Sequence, residues 1–183
     1  MRRSLGSLLI VGALIASGSV STAQDSARVV ASSPRPPRSA AACCAAPTLV
    51  TEEAAIAARI EDAMREAQEG HPDLAKKTLL AVVGDQQRAG AYPRRALRHL
   101  ANVHLMLDDP MGSASTLKTL AREAAKVDDD ETEVVALVDA SVLYVQVRQP
   151  ARARDLMPRI RRLLASPRVT DETRRTIAGQ LGW

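Results

Sequence analysis

The sequence predicts an all-α protein built from consecutive helical hairpins. Three observations carry this expectation. Aromatic residues are 2% of the 183 and phenylalanine is absent, while Ala, Leu, Val and Arg dominate. Strands favour aromatic and β-branched residues, whereas alanine and leucine are strong helix formers. From about Thr51 onward, apolar residues recur at spacings of three and four, the period of a helix face. Finally, Pro72, Pro110 and Pro150 stand 38 and 40 residues apart, each ending a short polar turn, "EGHP", "LDDP" and "VRQP". Such a fixed spacing marks an internal repeat.

Residues 1–23 read as a secretory signal peptide. Arg2 and Arg3 give a charged start, Leu5 to Ala16 is a short apolar run, and Ser21-Thr22-Ala23 supplies small residues for cleavage before Gln24. An uncleaved N-terminal membrane anchor is the alternative. The Ala/Arg bias points to a bacterial source, so the expected location is the periplasm or the extracellular space. Residues 24–49 read as a disordered linker rich in Pro, Ala and Ser, with Pro34, Pro36 and Pro37 favouring extended chain. Cys43 and Cys44, the two cysteines, fall in this linker. Neighbouring Cα atoms lie about 3.8 Å apart, too close for an unstrained disulfide. An intermolecular disulfide, lipidation or a metal contact, and no defined role all stay open.

Residues 50–183 form the helical domain. Thr51 is expected to cap the first helix, with Glu52 and Glu53 suiting its positive end; Ile56, Ile60, Met64 and Ala67 form its apolar stripe. Gly70 stops it and Pro72 starts the second, which carries Leu74, Thr78, Leu79 and Val82. The third spans about Pro93 to Leu107, with Leu97, Leu100, Ala101, His104 and Leu105 inward or nearly so. The fourth follows Pro110 and presents Ala114, Leu117 and Leu120. Asp130-Glu131-Thr132-Glu133 reads as a capping box for the fifth, which continues through Val138, Val142 and Val145. The sixth starts near Pro150 with Ala153, Leu156, Met157, Ile160 and Leu163, and Pro158 inside it predicts a kink or an early break. Thr170 caps a seventh that ends near Leu181.

Aligning the chain on its three turn prolines lines up small residues. Ala63, Ala101 and Ser141 precede the proline by nine positions; Ala75, Ser113 and Ala153 follow it by three. Small residues let antiparallel helices approach closely. Leu79, Leu117 and Met157, then Val82, Leu120 and Ile160, fill the space beyond. A small residue, then Ala or Ser twelve positions on, then a bulky apolar residue four further, resembles the tetratricopeptide repeat (TPR). Leu97-x-x-Leu100-Ala101 and Ala140-Ser141-x-x-Tyr144 are the nearest local matches. The period here exceeds the usual length of about 34 residues, and Asp62 and Glu66 depart from the pattern in the first repeat. The resemblance implies a right-handed superhelix of about three hairpins with a C-terminal capping helix. It also implies a concave face, lined by the first helix of each hairpin, that grips peptides.

Carried over residue by residue, that face comprises Ile60 and Met64, then Arg95, Arg98, His99 and Asn102, then Val135, Val138 and Val142. Arginines and an asparagine on one helical face can hold a carboxylate by charge-assisted hydrogen bonds, and this set resembles the carboxylate clamp of some members of the family. The competing reading is a set of ordinary surface charges.

Catalysis is not expected. GxSxG, HExxH, Walker and GxGxxG motifs are absent from the sequence. His104 and Asp108 are four apart and could share a helix face, but two ligands make a poor metal site. Asp128-Asp129-Asp130-Glu131 lacks the spacing of a calcium loop and reads as a solvated helix approach. No cofactor is expected. The late arginines, Arg148 to Arg175, fit either an anionic partner or a solvated face. Without interleaved aromatics and with a net charge of +4, the expected partner is a protein or peptide, with acidic ones among the candidates, and not a nucleic acid. Membrane contact is expected only peripherally, and self-association stays open. The expected function is an exported, non-enzymatic interaction module in an envelope or secretion assembly. The alternative is a structural or oligomerising subunit cross-linked through Cys43 and Cys44.

Overall fold

A computed structural model describes residues 48–182 of the chain. The expected signal peptide, most of the linker, and Cys43 and Cys44 lie outside the described residues. Seven helices occur in order: α1 (Thr48–Gln68), α2 (Pro72–Arg88), α3 (Arg94–Met106), α4 (Pro110–Lys126), α5 (Asp130–Gln146), α6 (Pro150–Leu164) and α7 (Asp171–Leu181). No strand occurs among the described residues. Each helix from α1 to α5 packs against the next; α3 also touches α1, and α7 packs on α5. The domain is therefore all-α, with neighbouring helices paired in sequence, an arrangement compatible with a helical-repeat fold.

The hairpins close through the small residues singled out by the repeat. Ala63, Ala75, Ala101, Ser113, Ser141 and Ala153 are all buried. Leu79, Val82, Leu120 and Ile160 are sealed completely behind them, each such side chain contributing about 1.5–3 kcal/mol by leaving water. A core of Ala, Val and Leu, with almost no aromatic bulk, is what lets the helices sit close.

Helices α1 to α5 end in one way. A residue with positive φ follows each: Gly70, Gly90, Asp108, Asp128 and Arg148. The next backbone N–H reaches back to the carbonyl five residues earlier, on Glu66, Gln86, His104, Ala124 and Tyr144, at 2.7 to 3.0 Å. This is the Schellman closure, which satisfies carbonyls that the helix end would leave unpaired. Proline at the first position then opens α2, α4 and α6, where its missing N–H costs nothing.

Several local expectations change. α1 includes Thr48, so Thr51 lies within the helix and does not cap it. The cap of α5 is Asp129, one residue earlier than expected, accepting from the Thr132 N–H at 3.0 Å. Glu133 does not reach back to that cap; it is buried and pairs with Arg159. Thr170 caps α7 as expected. α6 runs on past Pro158 to Leu164; Pro158 and Arg154, the residue whose carbonyl it leaves unbonded, are both exposed, so water can serve that carbonyl. Leu74, Leu105 and Val145 are 49, 43 and 59% exposed rather than inward. In each case an adjacent residue, Ala75, His104 or Tyr144, takes the buried position, and one helical step rotates the neighbour about 100° away.

Candidate binding groove

α3 buries Ala96, Leu97, Leu100, Ala101, Val103 and His104. That leaves Arg95, Arg98, Asn102 and Leu105 as an exposed stripe, spaced three and four apart as one helix face requires. α5 is covered on nearly every side. Along its middle, Val135, Asp139 and Val142 stay half-buried at i, i+4 and i+7. The two stripes border a groove of about 430 Å³. Arg98, Asn102 and Leu105 line it from α3, Asp139 and Val142 from α5, and Gln180 from α7. Ala101, Leu117 and Leu143 give it an apolar floor.

The groove thus brings together Arg98, Asn102 and Val142 of the expected set. Arg95 is exposed one turn earlier on the same stripe but does not line it. Ile60 and Val138 are 2% and 0% exposed and spend their side chains on the core. Met64 and Val135 pack against that core from its edge. His99 is half-buried, and its Nδ1 is sealed from solvent without a hydrogen-bond partner among the described residues. Burial first, then the charges of Arg95 and Arg98, hold its pKa below the usual value, so the ring stays neutral.

Sequence reasoning missed Asp139. Burial pushes its carboxyl above the ordinary range, and the Arg98 charge only partly offsets this. The repeat register held the signal: Asp139 and His99 both precede their turn proline by eleven residues.

The chemistry expected at other positions resolves into structure. His104 Nδ1 meets Asp109 Oδ2 at 2.8 Å, not Asp108, and Asp109 Oδ1 accepts from the Gly112 N–H at 2.7 Å. These bonds cap α4. A Cβ on Gly112 would overlap both the Asp109 carboxylate and the His104 ring, so glycine is required there. The acidic run before α5 is a clasp rather than a solvated loop. Asp129 holds Arg94 and the Tyr92 hydroxyl, Asp130 accepts from Ser166, Glu131 accepts from Thr170 and Thr173, and Asp128 pairs with Arg168. Arg174 donates to the Leu164 and Ser166 carbonyls. Part of the late arginine cluster is therefore internal fastening. Among the described residues, no group of three or more His, Cys, Asp or Glu is placed to hold a metal ion. None of their helices is long and apolar enough to cross a membrane.

The fold and the groove define, among the described residues, an all-α protein of sequentially packed helical hairpins with a cleft between α3, α5 and α7. No protein-family model, curated protein or solved structure matches the chain.

Proposed function

We propose that this domain is a TPR-like, non-enzymatic interaction module that holds a peptide or a segment of a partner protein in the groove between α3, α5 and α7. The observation that carries this reading is the state of the groove's polar groups. Arg98, Asn102 and Asp139 line an open cleft and make no hydrogen bond or ion pair with any described residue. Elsewhere Arg59, Arg94, Arg159, Arg168 and Arg174 are engaged by carboxylates of the domain itself. Unengaged polar groups over an apolar floor are the usual makings of a ligand site. The small-residue hairpins and the turns repeated in register support the TPR-like reading and, with it, a right-handed superhelix whose concave side holds the ligand. Arg2, Arg3, the apolar run to Ala16 and Ser21-Thr22-Ala23 support export, and with it a place in an envelope or secretion assembly.

Arg98 and Asn102 are positioned to hold a carboxylate of the ligand, a terminal one or a side chain. Replacing both, Arg98→Ala with Asn102→Ala, is expected to weaken binding of a peptide with a free C-terminal carboxylate by about tenfold or more, the loss of one or two charge-assisted hydrogen bonds. Isothermal calorimetry measures this directly, and unchanged affinity would remove the groove from the reading.

A further inference from the structure

Asp139 is a half-buried carboxyl with no direct partner among the described residues, in a place where charges are costly. Its helix is buried on nearly every side, with Ala136, Leu137, Val138, Ala140 and Leu143 all buried around it. No hydrogen bond or ion pair joins its carboxylate to a described residue. Arg98 lines the same groove and its charge reaches Asp139, but the two form no ion pair. The groove therefore has one cationic wall on α3 and one anionic point on α5, above a floor of aliphatic side chains. A half-buried carboxylate lacking a partner is destabilising until an opposite charge arrives. Within the fold only the Arg98 charge reaches Asp139, and it offsets the burial in part; a ligand can supply the rest.

We infer that Asp139 selects a cationic side chain, lysine or arginine, of the peptide held in the groove. This rests on the peptide-binding reading above. The stem of a lysine or arginine is aliphatic and would lie along Leu117, Val142 and Leu143, while its charged head meets the carboxylate. The favoured ligand is then dipolar: a cation seated on α5 beside a carboxylate held on α3. Charge complementarity with Asp139 distinguishes it from a purely acidic peptide, whose side chain at this point would be repelled.

The test uses the full chain and three pools of acetylated pentapeptides with a free carboxyl terminus. The central residue is lysine, norleucine or glutamate, and the other positions are equal mixtures. Affinities are read by fluorescence polarisation. The lysine pool is expected to bind about tenfold more tightly than the norleucine pool, with the glutamate pool weakest. Asp139→Asn, nearly identical in shape, should abolish the preference, so that the lysine and norleucine pools bind about equally. Asp139→Lys should invert the order in favour of glutamate. The comparison on the unaltered chain decides even if a variant folds poorly. Pools that bind without regard to central charge, or a lysine preference that survives Asp139→Asn, would overturn the assignment to Asp139 while leaving the groove reading intact. Absence of binding by every pool, with Arg98→Ala also without effect, would overturn both. Self-association of the chain that Asp139→Asn abolishes would place a second copy in the groove and overturn the peptide assignment.

Discussion

Arg148 sits in a conformation that favours glycine. Its φ is 59°, in the left-handed region, where a Cβ crowds the following carbonyl at a cost of about 1–2 kcal/mol. The equivalent turn of the first hairpin uses Gly70, and the second uses Asp108, whose short polar side chain tolerates the region better than arginine does. Arg148 makes no ion pair among the described residues. Arg148→Gly is therefore expected to stabilise the domain by about 0.5–1 kcal/mol, since relief of strain exceeds the added freedom of the unfolded chain. Urea unfolding reads this as a higher midpoint at constant slope, and a lower midpoint would show that the arginine side chain contributes more than its backbone costs. Asp139 gives a second prediction, with a sign that follows from linkage. Burial raises its folded pKa above the unfolded value of 3.8, so between those two pKa values the native state holds a proton that the unfolded chain has lost. Stability attributed to this group is thus highest below the unfolded pKa and falls as pH rises through the folded one. Asp139→Asn removes that fall. The variant should match the wild type in thermal midpoint below pH 3.8 and exceed it at neutral pH. Equal midpoints at every pH would contradict an unpaired carboxylate.

The helices show which features a sequence makes legible. Ala63, Ala75, Ala101, Ser113, Ser141 and Ala153 could be read as packing residues because hairpin contacts are local and repeat in register. The α7 cap at Thr170 was equally local. The α5 cap was displaced by one residue because Asp128, Asp129 and Asp130 all offer the same chemistry, and only the turn geometry chooses Asp129. The partner of Glu133 was not legible at all. Arg159 lies 26 residues further on, and their meeting depends on how α6 turns against α5. The same limit applies to the groove lining: Arg98 and Asn102 were named through the repeat resemblance, whereas Asp139 faces them from another helix and no local pattern pointed to it. The Glu133–Arg159 pair fastens α6 to α5 by two bonds of 2.7 Å. Glu133 is 6% exposed and Arg159 43%. Breaking a fully buried pair costs about 3–5 kcal/mol, but solvent reaches this guanidinium, so Arg159→Ala is expected to cost about 1–2 kcal/mol. Glu133→Gln combined with Arg159→Met should recover part of that loss, because no buried charge is then left alone. A double-mutant cycle by chemical denaturation checks it, and additive losses would mean that the two side chains act independently.

Across the whole domain, contact is almost entirely between helices adjacent in sequence, and this makes the chain quasi-one-dimensional. In such a stack each unit is stabilised by its neighbours, so the ends are weaker than the middle. α4 and α5 have packed helices on both sides and hold the sealed side chains Leu120, Val134 and Val138. α7 has one well-buried residue within it, Ile177, and is fastened chiefly by polar bonds: Thr170 and Thr173 to Glu131, and Arg174 to the Leu164 and Ser166 carbonyls. Polar bonds open to water contribute less than sealed apolar contacts. α7 also carries Gln180 at the edge of the groove, so local opening of this helix would widen the cleft without disturbing α3 or α5. Hydrogen exchange followed by mass spectrometry should therefore find the slowest amides in 110–146 and much faster exchange in 171–181, with α1 between them. A peptide bound in the groove should slow exchange in α7 more than in α4, because it bridges the wall that opens to the walls that do not. Equal protection throughout 72–181, unchanged by ligand, would mean that the hairpins unfold as one unit and that α7 is no gate to the groove.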